Sequence, residues 1–257
     1  MELRWKTNRF DIVAVTETWL TTEILDSELL LSGMSLLRSD RPTRGGGVLL
    51  YHRSNLQCKQ IDIPDAAPDS LWCSLRLSKN DRCLTGVVYR PPASSDSANE
   101  ILLQTMRNVL SLNFTHALIM GDFNCPNLTR SRNSRQPFEK QLPQLIEFHP
   151  LYNDVTEPTR FGAGHKPSTL DLVLTNEELM VESVNVTSPL GRSDHAVLMF
   201  DYIGYASTQE NRKSRTRAII YYKKLQNLAI FKQWVLPEDD HDPLWHGRAS
   251  LIILPKL

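Results

Sequence analysis

No stretch of this chain approaches the roughly 20 consecutive apolar residues that cross a bilayer, and the opening Met1–Phe10 lacks a signal-peptide core. A soluble intracellular protein with no membrane partner is the expectation. An excess of one charge is missing too, because Lys plus Arg and Asp plus Glu both number 29. A nucleic-acid site would therefore be a local basic patch on a neutral body. Cysteine is scarce: Cys58, Cys73, Cys83 and Cys125 form no CxxC pair and meet no histidine at zinc-finger spacing. That excludes a zinc framework and leaves reduced thiols. The triplet Gly45–Gly47 lacks the lysine and hydroxyl of a P-loop, so it reads as a turn or a close backbone approach.

At 257 residues, 41% hydrophobic and 23% charged, the chain is long enough for one large globular domain or two small ones. Short apolar runs rich in β-branched residues predict buried strands at Ile12–Val15, Val48–Tyr51, Ser70–Leu77, Cys83–Tyr89 and Leu118–Asp122. Further strands are expected at Ser168–Thr175, Glu182–Thr187 and His195–Asp201, and Ser78–Arg82 is a polar turn of hairpin length. Helical spacing of Ile101, Leu102, Met106, Val109 and Leu110 predicts a helix over Ser97–Leu112, with Ser97 as N-cap and Glu100 completing a capping box. A second helix is expected over Pro137–Phe148, interrupted at Pro143. Strands outnumber helices, which come singly between them, so an α/β layered domain follows.

Polar chemistry gathers at the strand ends: Glu17, Tyr89, Asp122 with Asn124, Asp171, and Asp194 with His195. One strand-terminal aspartate is most often a turn residue, and an Asp-His pair is common on surfaces. Five such ends in one chain are a pattern. Gly121 allows a sharp turn there, and Asp122 and Asn124 project from one side of it. Carboxylates, an imidazole, an amide and a phenol suit hydrolysis of a phosphate ester. Carboxylate oxygens favour a hard divalent cation, and a carboxylate positions or deprotonates the attacking water.

The order Thr-Glu-Thr-Trp (16–19), Gly-Gly-Gly-Val (45–48), Val-Tyr-Arg-Pro-Pro (88–92), Gly-Asp-Phe-Asn (121–124), Ser-Thr-Leu-Asp-Leu-Val (168–173) and Ser-Asp-His (193–195) resembles the endonuclease/exonuclease/phosphatase superfamily. Glu-Thr-Trp-Leu, Tyr-Arg-Pro-Pro and the basic segment beyond them are similar to the endonuclease domain of non-LTR retrotransposon polyproteins. The resemblance spans about residues 8–203. It implies a four-layered α/β sandwich with two facing mixed sheets flanked by helices. It also implies roles. Glu17 and Asp194 match metal-binding carboxylates for Mg2+, with Mn2+ as an alternative. Asp122 matches the residue that orients or deprotonates water, and Asn124 its amide neighbour on the phosphate. Tyr89 matches the phenol at the scissile phosphate, and Asp171 the partner that keeps His195 cationic. Arg90, Ser168 and Thr169 fall where the DNA backbone is touched.

One element of the family pattern is absent: a first strand carrying an asparagine toward the metal and water network. The chain is thus expected to be truncated at its N-terminus, with Glu2–Arg9 the tail of a helix. An exposed sheet edge, lowered stability and weak or absent activity follow. Residues 1–205 are expected to form the domain, and 206–257 a basic linker and irregular tail, helical between Tyr221 and Val235. Arg130, Arg132 and the run Arg212 to Lys224 are candidate DNA contacts, against the commoner reading as solvated loops. Three functions stay open: a magnesium-dependent DNA endonuclease, nuclear in location and without an obligate protein partner; a phosphatase of the same superfamily; and an inactive relic that binds DNA.

Overall fold

A computed structural model describes residues 10–42, 45–126, 128, 136–162, 164, 166–203 and 248–255, the last as backbone. Glu2–Arg9, Arg130, Arg132 and 206–247, for which the sequence carries expectations, lie outside the described residues. Two six-stranded sheets carry the fold. The first runs β10 (Val181–Thr187), β11 (Val197–Ile203), β12 (Arg248–Pro255), β1 (Ile12–Thr16), β3 (Val48–Arg53), β2 (Met34–Ser39). The second runs β4 (Cys58–Gln60), β5 (Ser70–Arg76), β6 (Arg82–Tyr89), β7 (His116–Asp122), β9 (Asp171–Thr175), β8 (Tyr152–Asn153). Among the described residues the helices are α1 (Asp26–Leu29), a single turn, α2 (Asp96–Leu110) and α3 (Pro137–Phe148). None is long and apolar enough to cross a membrane.

Alternation along the strands sorts the apolar side chains onto two faces. Ile12 and Ala14 of β1, Val87 of β6, Met120 of β7, Val173 of β9 and Phe200 of β11 meet between the sheets. Their odd-numbered or even-numbered neighbours face outward. Val88, Ile119 and Leu172 pack under Leu103 and Met106 of α2 and Phe138 and Leu142 of α3. Val13, Val15 and Leu49 form a smaller outer cluster with Leu20 and Leu29 packed against it. The architecture is the layered mixed α/β fold that the sequence predicts.

Three local expectations need correction. The α2 N-cap is Ser95, whose hydroxyl accepts from Ala98 N at 3.2 Å, because Ser97 is already helical. Pro143 does not interrupt α3, which runs on through Phe148. Gly121 is not a turn but a paired strand residue, Cα partner of Val88. Its φ is 140°, and a Cβ there would fall 1.9 Å from Val88 O, so glycine is required by the neighbouring strand.

The larger difference lies at the end of the chain. Strand β12 lies inside the first sheet, parallel to β1 (Ile12 opposite Leu251, Thr16 opposite Pro255) and antiparallel to β11 (Ile203 opposite Arg248). Residues 248–255 are thus part of a sheet, not of an irregular tail. On the side that β12 occupies, β1 and β11 are both paired.

Candidate active site

The strand register assembles the site. Tyr89 of β6, Asp122 of β7 and Asp171 of β9 are successive Cα partners, one row across three adjacent strands. Each lies two residues beyond an inter-sheet core residue (Val87, Met120) or before one (Val173), so all three share the face toward the other sheet. Opposite them, β1 delivers Glu17 one residue past its end, and the segment before β11 delivers Asp194 and His195. Thr16, Glu17, Pro92, Asp122, Asn124, Arg160, Ser193, Asp194 and His195 line one cleft at this end of the sandwich.

Asn124 clamps Asp122. Its backbone N–H donates to Oδ1 at 2.9 Å and its Nδ2 to Oδ2 at 2.8 Å, which fixes the plane of the carboxylate. Nδ2 also donates to Arg90 O at 2.9 Å. Both amide hydrogens of Asn124, which lines the cleft, are thus engaged within the protein. Burial pushes the Asp122 carboxyl well above the usual range, and neighbouring Asp171 adds to this, while His195 and the Asn124 N–H pull it back. His195 Nδ1 lies 2.9 Å from Asp171 Oδ2. Burial would lower the imidazole, but the hydrogen bond and charge of Asp171, with Asp122 and Asp194, outweigh it and push it up to about 9. The ring is an imidazolium at neutral pH.

Glu17 is presented by a strained loop. It and Trp19 have φ of 51° and 55°, in the left-handed region that costs a non-glycine residue on the order of 1–3 kcal/mol. The glycine triplet holds them there. Thr18 N donates to Gly47 O at 3.3 Å and Trp19 N to Gly46 O at 2.9 Å. Gly47 N in turn donates to the buried Asp69 at 2.8 Å, which is forked by Arg41. Cβ atoms at Gly46 and Gly47 would collide with Asp69 and Thr18. The triplet thus serves close backbone approach. Burial, and then Glu17 through charge and a hydrogen bond, push the Tyr89 phenol up; it stays a hydroxyl.

The expected DNA contacts fare differently. Arg90 is buried behind the cleft, donating from Nε to Asn99 Oδ1 at 2.6 Å and from Nη1 to Asn124 O at 3.0 Å, with its guanidinium 4.2 Å from the Phe138 ring centroid. This is a correction: Arg90 props the Asn124 turn instead of facing the phosphate. The Thr169 hydroxyl donates to Glu157 O at 3.0 Å, and Ser168 pairs through its backbone with Arg160. Neither lines the cleft.

Two residues not expected from the sequence complete the site. Thr159, fully buried, accepts through Oγ1 from Leu170 N and Asp171 N, both at 3.1 Å. Arg160 bridges by its backbone to Ser168 and His195, and its Nε donates to Asp194 Oδ2 at 2.7 Å, which holds that carboxyl below its usual range against the effect of burial. Only Thr-Arg between two loops marks them, without periodicity.

Asp122, Asp171 and His195 offer ligand atoms within 4.8 Å of one another and could hold a metal ion. Within that trio His195 Nδ1 already lies 2.9 Å from Asp171 Oδ2. Glu17, Asp122, Asn124 and Asp194 around the cleft are oxygen donors, the set that suits a hard divalent cation.

Two facing sheets thus carry a cluster of carboxylates, an amide and an imidazole at one end of the sandwich. A family model described as endonuclease-reverse transcriptase matches residues 84–199. Similar solved structures include the endonuclease domain of TRAS1, a telomere-specific non-LTR retrotransposon (15% identity, 76% of this chain and 86% of that one, TM-score 0.57). A 3' phosphatase from Neisseria bound to product DNA hairpin is similar at 18% identity, 76% and 90% coverage and TM-score 0.56. An AP endonuclease from Archaeoglobus fulgidus is similar at 14% identity, 76% and 90% coverage and TM-score 0.55. No curated protein matches by sequence. The fold is thus shared with nucleases and a phosphatase that process DNA, and the family-model match falls on the segment that carries Tyr89, Asp122, Asp171 and His195.

Proposed function

We propose that the chain is a Mg2+-dependent DNA endonuclease of retrotransposon origin that nicks a strand of its target. The observation that carries this is the clamped, buried Asp122 beside a His195 held by Asp171, in a cleft lined by oxygen donors. The match to endonuclease-reverse transcriptases and the likeness to a retrotransposon endonuclease support the origin.

Asp122 orients the attacking water and takes its proton; its raised pKa makes it a better base near neutrality than an ordinary aspartate. Asn124 holds that carboxylate in one plane. His195, charged and fixed by Asp171, donates from its remaining N–H to a phosphate oxygen and offsets charge that grows as the bond breaks. Glu17 and Asp194 would hold the cation, Asp194 after leaving Arg160; a divalent ion bound there supplies charge neutralisation at the phosphate. Tyr89 fixes Glu17. A plasmid-nicking assay with Mg2+ tests the reading: nicking is expected from the unaltered chain and lost in Asp122→Ala. Equal nicking by both would refute it, and release of phosphate from 3'-phosphorylated DNA without nicking would move the assignment to a phosphatase.

A further inference from the structure

We infer that Arg160 is an exchangeable partner. It occupies Asp194 while the cleft holds no cation, and it turns to a phosphate of the bound strand once a divalent cation takes Asp194. This rests on the nuclease reading above. Cation and strand are then coupled, because the guanidinium contact that one releases is the contact that the other receives.

The charge balance of the cleft is the first argument. Among its nine lining residues, Glu17, Asp122 and Asp194 are carboxylates, and only Arg160 and His195 can carry positive charge. A phosphodiester entering it meets mainly charge of its own sign. The positive charge of Arg160 is already committed, since Nε donates to Asp194 Oδ2 at 2.7 Å. A guanidinium is a planar fork of five N–H donors that matches the oxygens of a phosphate as well as those of a carboxylate. A cation seated on Asp194 releases that fork at the place where negative charge must enter.

The setting of the pair is the second argument. Both side chains are open to solvent, Arg160 by 39% and Asp194 by 46%. Arg41 instead forks an Asp69 that is 4% exposed, and Arg90 is itself buried, so those arginines are fixed. An exposed ion pair contributes little net stability, and its exchange for a doubly charged ion costs little. The backbone around it is fastened. Phe161 N donates to Asp194 O at 2.8 Å, Arg160 N donates to Ser168 O at 2.9 Å, and Arg160 bridges antiparallel to His195. Partners across an antiparallel bridge project to the same face. The guanidinium therefore starts beside the imidazole that the proposed reaction sets against the phosphate, and rotation about side-chain bonds alone completes the exchange.

The test uses the full chain and reads binding. The free-ion EPR signal of Mn2+ gives cation affinity without DNA. Arg160→Gln should tighten Mn2+ by about fivefold, the upper range for an exposed ion pair. Arg192→Gln removes an equal charge two residues from Asp194, and should change it by about twofold at most, because surface charges that make no contact are screened by salt. The anisotropy of a labelled DNA duplex is then followed in the Asp122→Asn background, where the strand is bound and not cut. Mn2+ should tighten the duplex by about tenfold, a usual size for coupled sites, and by much less when Arg160→Gln is added. With a chelator in place of Mn2+, that second substitution should leave the duplex affinity unchanged. Equal tightening of Mn2+ by Arg160→Gln and Arg192→Gln would make the effect one of bulk charge and overturn the exchange. A duplex affinity lowered equally with Mn2+ and with chelator would mark a permanent phosphate contact and overturn it too. Plasmid nicking by the unaltered chain separates the two readings. A chain that nicks without either effect of Arg160 refutes the exchange alone, and a chain that shows the Mn2+ effect yet neither binds nor nicks DNA refutes the nuclease reading.

Discussion

At the residue scale the site is a set of polar groups that hold one another. Asn124 has a positive φ of 43°, a conformation asparagine tolerates better than most residues, and it turns both its N–H groups onto Asp122. Asn124→Ala keeps the backbone bond and loses the side-chain one. The carboxylate then swings, and we expect kcat for nicking to fall about 100-fold, the scale of a small misplacement of a catalytic group, with KM nearly unchanged. Steady-state nicking kinetics would show it; an equal rise in KM would mean that Asn124 touches substrate instead. His195 gives the pH dependence. Its pKa rises from 6.5 to about 9 in the folded chain, so the charged form is favoured by folding. The stability it contributes is complete below about 6.5 and is lost as pH rises through about 9. NMR titration of the ring should find it protonated at neutral pH. In Asp171→Asn, with the largest opposing influence gone and burial remaining, the midpoint should fall below that of the unaltered chain. No change would show that Asp171 does not set the charge.

At the scale of elements, strands were legible where side chains alternate or run apolar, and so were the residues at their ends. Glu17, Asp122, Asp171 and His195 each stand at the edge of such a run, and the register brings them together. Loops were not legible, because nothing periodic marks which loop crosses which. The 159–161 segment is the case in point. Thr159 takes two backbone N–H groups that lead into β9, so it sets where Asp171 begins its strand. Thr159→Val keeps the shape and removes the acceptor. Two buried donors would then be unsatisfied, at about 1–3 kcal/mol each. Denaturant unfolding should show a loss of about 2–6 kcal/mol together with weaker nicking; a loss below ~0.5 kcal/mol would show that water replaces the hydroxyl. Arg90 illustrates the opposite error. An arginine beside a strand end in a site motif reads as a phosphate ligand, yet burial against Phe138 and two carbonyls makes it a strut.

For the whole molecule, the sheet that carries Glu17 and His195 is closed by a strand from the far end of the chain. The apolar run Leu251–Leu254 is too short to tell strand from helix, and its partners lie about 50 residues away at β11 and over 200 away at β1, so local sequence gives no hint of the pairing. Backbone pairing is what β12 contributes to the described structure. Arg248–Pro255 contains no asparagine, aspartate or glutamate, so it closes the sheet without adding an oxygen-bearing acid or amide to the site. Its placement matters because β1 and β11 both face it, and each delivers a site residue at the end where β12 finishes opposite Thr16. Deleting residues 248–257 would leave β1 paired only with β3 and β11 only with β10, each with one side unpaired inside the sheet. At about 1 kcal/mol net for each backbone hydrogen bond lost, the cost is several kcal/mol, comparable with the whole stability of a typical domain. The shortened chain is therefore expected to unfold at a markedly lower temperature or to aggregate through the opened edges, and to lose nicking. A synthetic peptide of residues 248–255 added during refolding should restore both, since backbone pairing does not require the connection. Melting and nicking measured on the shortened chain, with and without the peptide, decide the matter. Undiminished stability after the deletion would show that β1 and β11 close the sheet without this strand.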